Sequence, residues 1–162
     1  MGILPAFKRS FFCSPVREDG MKLQLMYEEG FVYTDMYVDR RFEGYKNVVH
    51  GGMLFGILDT IMWHVILMES KKVTMTRKTE MEFFKPVMCN TPYRAKGKLE
   101  RIVEKDVHAS AWVENQNGEC CAKVSALFRE AKDIPIADWV KGLDFSLTTP
   151  EIKAHFLSLL EE

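Results

Sequence analysis

The sequence predicts an α+β fold in which a curved antiparallel β-sheet wraps around one long central helix, with extra helices at the C-terminal end. Residues 53–68 are apolar on nearly every side of a helix, so other structure must surround them. Strand-like runs follow at 73–84, 93–103, 107–114 and 120–128, joined by connections too short for parallel crossovers. In the third run Val107, Ala109, Ala111 and Val113 face one way and His108, Ser110, Trp112 and Glu114 the other. That is the period of a strand with one face on a core.

Residues 22–38 predict a first hairpin: Leu23, Leu25 and Tyr27 alternate with polar neighbours, Glu29-Gly30 turns, and the return is aromatic and β-branched. Residues 39–50 have Gly44, several charges and no period, and read as a loop delivering the chain into Gly51-Gly52 and the helix. The later connections hold Pro86, Asn90 and Pro92, then Glu104-Lys105-Asp106, then Asn115-Gln116-Asn117-Gly118. Beyond the last strand, 134–140 is a short helical candidate. Thr149-Pro150-Glu151 then sets a capping threonine and an N1 proline ahead of an apolar stripe of Ile152, Phe156, Leu159 and Leu160. Residues 1–130 are thus expected to form the sheet-and-helix unit, and 131–162 a helical extension packed on the same domain.

A chain of 162 residues holds a core without metal or disulfide staples. Its apolar fraction of 47% and formal net charge of -1 provide no overall attraction to nucleic acid or to an anionic membrane. An anionic ligand must be held locally. Cys13, Cys89, Cys120 and Cys121 show no zinc spacing and predict reduced thiols in a cytoplasmic protein. The opening residues lack the order of a secretory signal. The apolar stretch is broken by Asp59, Thr60 and His64 and falls short of the roughly 20 residues of a membrane span, so no membrane insertion is expected.

A carboxylate in the interior turns of an apolar helix needs a reason, because a buried charge costs several kcal/mol unless paired or neutralised. Asp59 is that residue, sharing a helix face with Gly52, Phe55, Gly56 and Trp63; the two glycines leave room beside it. Read alone, Asp59 either hydrogen-bonds a neighbouring loop or does chemistry. His50-Gly51-Gly52 stands where the helix begins, and free N–H groups there bind negative charge. An oxygen gaining charge as a thioester is attacked would be held by such donors.

Val48-Val49-His50-Gly51-Gly52, an aspartate nine residues after the histidine, and Phe83-Phe84-Lys85-Pro86 at the end of the next strand resemble the acyl-CoA thioesterase branch of the hotdog superfamily. That branch includes the PaaI-like and 4HBT-type enzymes, and Arg41-Phe42-Glu43-Gly44-Tyr45 is similar to its Phe-Gln-Gly-Tyr stretch. The resemblance spans about residues 12–129 and implies hydrolysis of acyl-CoA to free acid and CoA, with no cofactor because coenzyme A is part of the substrate. It makes Asp59 the nucleophile or general base, Gly51 the backbone donor to the thioester carbonyl, and Thr76 the hydroxyl that places water. It gives His50 a role in orienting the loop, and Gly52, Glu43 and Lys85 contacts to substrate, Lys85 through a coenzyme A phosphate. It also implies a homodimer or homotetramer with active sites between subunits.

Two positions depart from the family pattern. Gly44 stands where some relatives carry an asparagine that helps hold the carbonyl, and Glu43 where many have glutamine. These departures motivate the alternative of a non-catalytic acyl-CoA or lipid-binding protein. A hydratase using Asp59 and His64 together is disfavoured, since five residues on a helix set two side chains about 140° apart. A metal site built on His50, Asp59 and His64 fails on the same geometry.

Overall fold

The computed structural model describes residues 1–161. A two-residue strand β1 (Gly2–Ile3) and a second, β2 (Ala6–Phe7), precede the hairpin of β3 (Met26–Glu28) and β4 (Phe31–Tyr37). The hairpin turns through Glu29 and Gly30, at φ 48° and 83°, the left-handed pair that a two-residue connection requires. Helix α1 (Gly51–Ser70) follows, then β5 (Thr74–Phe83), β6 (Pro92–Val103), β7 (Asp106–Glu114) and β8 (Cys120–Glu130). The tail adds α2 (Ile136–Lys141), β9 (Leu143–Asp144) and α3 (Pro150–Ser158).

Seven strands form one antiparallel sheet in the order β1-β3-β4-β6-β7-β8-β5, and β2 pairs with β9 separately. Helix α1 lies across β6, β7 and the flanking strands, with ten residues buried. Small residues on the inner face let it approach: a Cβ on Gly97 would sit 2.6 Å from Ile61 Cγ2, and Ala95, Ala109, Ala111 and Ala122 lie beside it, all buried. At 20 residues α1 is longer than the apolar stretch that announced it and reaches the length of a membrane span. Its apolar surface instead packs inside the fold.

The four later strands stand within a residue or two of their expected bounds. The expected first strand is shorter: Leu23 and Leu25 are buried, but the paired segment is only Met26–Glu28. In the tail, Ile152, Phe156 and Leu159 join the core while Leu160 is exposed, so the stripe ends one residue early. Thr149 occupies the N-cap of α3 without capping it; its Oγ1 accepts a hydrogen bond from the Ile3 N–H at 2.7 Å. That hydroxyl ties the tail to the first strand. Replacing it by Thr149→Val strands a part-buried N–H, with an expected loss of about 1–3 kcal/mol measurable as a lower denaturation midpoint at unchanged slope.

Candidate active site

The loop before α1 is shaped by its own polar groups. Glu43 accepts a hydrogen bond from the Asn47 N–H at 2.9 Å through Oε2, where Asn47 takes a positive φ of 64°. Gly44 donates its N–H to the Val48 carbonyl at 2.9 Å, and a Cβ there would come within 3.2 Å of the His50 ring. His50 then caps α1: its Nδ1 accepts from the Gly52 N–H at 2.8 Å, which leaves any ring proton on Nε2 of the neutral side chain. The Met53 and Leu54 amides both donate to the His50 carbonyl. Among the described residues, Gly51 N–H is left as the first-turn amide with no acceptor in the chain.

The room expected beside Asp59 is not where the glycines stand. Gly52 makes way for the His50 ring, 3.0 Å from where its Cβ would be, and Gly56 for Phe12, whose Cζ would be 2.0 Å away. The space lies further along the helix, in a pocket of about 340 Å³ that opens beside Asp59 and Thr76. There Thr76 Oγ1 donates to Asp59 Oδ1 at 2.7 Å. Thr76 sits at a β-bulge, since the pairing of β5 with β8 skips from Thr76 to Lys78. Burial pushes the Asp59 carboxyl above its ordinary pKa, and the Thr76 hydroxyl, by favouring the charged form, offsets part of that.

His64 lines the same pocket, and its ring nitrogen bonds back along the helix rather than to Asp59. It lies buried, 1% exposed, with Nδ1 at 2.7 Å from the Thr60 carbonyl, which can only accept. Burial pushes its pKa down to about 4, so the ring is neutral near pH 7. His64 is thus a core histidine bonded one turn back along the helix.

Asp59 and Gly51 do not meet within one chain. Eight residues of helix separate them by about 12 Å along the axis. Gly51 faces a different pocket, of about 400 Å³, with His50, Gly44, Phe83, Phe84 and Lys85 around it. Lys85 is ion-paired there with Glu119 at 2.6 Å, at the surface. Sequence reading missed the other wall of the Asp59 pocket: Phe7 from the N-terminal segment and Trp139 from the tail. Their rings lie 5.0 and 5.7 Å from that of Trp63, and the β2–β9 pairing of Phe7 with Leu143 holds them together. No local pattern announces that contact; a tryptophan in a charged tail was the available signal.

Residues 46–122 match the family model described as the thioesterase superfamily. An uncharacterized protein of Schizosaccharomyces pombe is 27% identical over 103 residues, which cover 60% of this chain and 59% of that relative, so the chain spans well under two thirds of its length. The crystal structure of a thioesterase superfamily protein aligns with a TM-score of 0.71 at 20% identity, over 76% of this chain and 61% of the other. A Streptococcus mutans protein bound to acetyl CoA aligns with a TM-score of 0.61 at 17% identity, over 67% of this chain and 88% of the other. These likenesses fix the fold. The sequence match runs from the loop before α1 to the start of β8, so over just under half its length the chain is similar to the thioesterase superfamily, and it carries the hotdog fold of these structures.

Proposed function

We propose that the protein is an acyl-CoA thioesterase whose active site is shared by two subunits, with Asp59 and Thr76 from one and Gly51 of the partner subunit. The observation that carries this reading is Asp59 itself: a half-buried carboxylate, held by one hydroxyl, at the mouth of an otherwise largely apolar pocket. Ionised, it attacks the thioester carbonyl or takes a proton from an attacking water. The carbonyl electron pair moves onto oxygen beside the Gly51 N–H, then returns as the carbon–sulfur bond breaks and coenzyme A leaves as thiolate; where Asp59 was the nucleophile, water then cleaves the acyl–Asp59 anhydride, releasing the acid and restoring the carboxylate. No cofactor is needed beyond the substrate. Acetyl CoA on the Streptococcus mutans protein supports coenzyme A as the carrier.

Pairing of subunits is supported by the free edge of β5, which among the described residues pairs only with β8 and exposes Met75 and Phe83 along it. A second copy would cover that edge. The test is thiol release from a panel of acyl-CoAs, with the mass in solution measured alongside. Release of thiol by a dimer or larger assembly is the expected result; saturable acyl-CoA binding without release would make the protein a binding module instead.

The pH profile carries a second expectation. Activity should rise as Asp59 ionises, so the acid limb lies above the ordinary carboxylate range. Thr76→Val removes the group favouring the charged form; the limb should move to higher pH and the plateau fall about tenfold, the effect of losing a hydrogen bond to a charged group. An unmoved limb would separate Thr76 from the carboxylate.

A further inference from the structure

Of the aromatic rings that line the pocket beside Asp59, those of Phe7 and Trp139 come from outside residues 46–122. Trp139 lies against Trp63 at a tilt of 32°, 5.7 Å between centroids, and meets Phe7 edge-on at 6.2 Å. Its place is fixed from both sides. Val140 and Leu143 are buried beside it in the chain, Leu143 pairs with Phe7, and the Lys8 N–H donates to the Gly142 carbonyl at 3.0 Å. Trp63 has a second duty, donating its Nε1–H to the Thr74 carbonyl at 3.0 Å, whereas Trp139 Nε1 has no partner among the described residues. What Trp139 brings to the pocket is therefore bulk.

Building on the thioesterase reading above, we infer that Trp139 is the residue that determines acyl length, its ring closing the end of the pocket against which the acyl chain stops. The Asp59 carboxylate marks where the thioester carbonyl sits, and coenzyme A leads away toward Gly51 of the partner subunit. The apolar remainder of the pocket is left to the acyl group. Trp63 stands four residues beyond Asp59 on α1, about 6 Å along the axis, and Trp139 lies against it. An extended chain advances about 1.2 Å per bond, so it reaches this wall after about five bonds. The volume agrees: about 340 Å³ is near the low end of the roughly 300–1,000 Å³ of ligand pockets. The rings of Phe7, Trp63 and Trp139 are in mutual contact, so a longer chain must displace one of them. Trp139 lies in the tail, so the limit belongs to this chain's own extension rather than to the matched region.

The test is kcat/KM for butanoyl-, hexanoyl-, octanoyl- and decanoyl-CoA in wild type, Trp139→Phe and Trp139→Ala. Wild type should fall by about tenfold or more between hexanoyl-CoA and decanoyl-CoA, the discrimination of an apolar pocket that has run out of room. Trp139→Phe removes part of the ring system and Trp139→Ala all of it. The decanoyl-to-hexanoyl ratio should therefore rise about threefold in the first and about tenfold or more in the second. General loosening of the pocket would lower both substrates together and leave that ratio unmoved. Where circular dichroism shows that Trp139→Ala does not fold, Trp139→Leu takes its place, with a ratio above that of Trp139→Phe. A wild type as fast on decanoyl-CoA as on hexanoyl-CoA, or a ratio unmoved in the folded variants, overturns the inference and leaves the hydrolase reading standing. No thiol from any of the four substrates overturns the hydrolase reading and this inference with it.

Discussion

Asp59→Asn should fold, lose about 10²- to 10⁴-fold in turnover, and melt at a higher temperature than wild type near neutral pH. Asparagine keeps the shape and still offers Oδ1 to the Thr76 hydroxyl, now 2.7 Å from the aspartate. What it loses is the charge that attacks or takes a proton. The stability gain follows from linkage. Burial raises the folded-state pKa of Asp59 above its unfolded value, so the folded protein binds the extra proton in the interval between the two. Stability contributed by the protonated carboxyl is therefore lost as pH rises through the folded pKa, and the cost of the buried charge is fully present above it. Asparagine carries no such cost. The melting difference should shrink as pH falls through the raised pKa toward the ordinary carboxylate value. Turnover kept at the wild-type rate would remove Asp59 from the mechanism, whereas a melting difference unchanged by acid would mean that the gain is not electrostatic.

The same trade explains why this residue was visible in the sequence. A carboxylate among Ile57, Leu58, Ile61 and Met62, all buried, breaks the local rule that the rest of α1 obeys, and such breaks gather at functional sites. The sheet was legible for a related reason: Val107, Ala109, Ala111 and Val113 alternate with more polar residues, and all four are buried against the helix. Less could be read where the signal is tertiary. Strands β1, β2 and β9 have two residues each, too short for any period, and form because distant segments meet: Gly2 with Tyr27, and Phe7 with Leu143. Gly56 looked like space and is a seat for Phe12, from a segment more than forty residues earlier. Thr149 looked like a helix cap, and its hydroxyl serves Ile3 instead. In each case the residue type was read correctly for what it permits, but its partner lies where local periodicity carries no information.

The two-subunit site can be tested with a substitution that the local backbone accepts. Gly51 is the first residue of α1, where proline is favoured, and His50 has φ -58° and ψ 132°, the extended conformation that a residue before proline prefers. Gly51→Pro thus deletes one N–H and leaves the helix start intact, with Phe83 yielding slightly because a Cβ at position 51 meets its ring at 3.1 Å. Losing a single oxyanion donor should cost about 2.7–4 kcal/mol in the barrier, or about 10²- to 10³-fold in kcat. Mixing this variant with Asp59→Asn then distinguishes the two arrangements. If each site takes Asp59 from one subunit and Gly51 from the other, a mixed dimer holds one intact site and one doubly defective one. An equal mixture allowed to exchange subunits should recover about one quarter of wild-type activity, from two nearly inactive proteins. If both groups served a site within one chain, every site in the mixture would lack one of them and no activity would return.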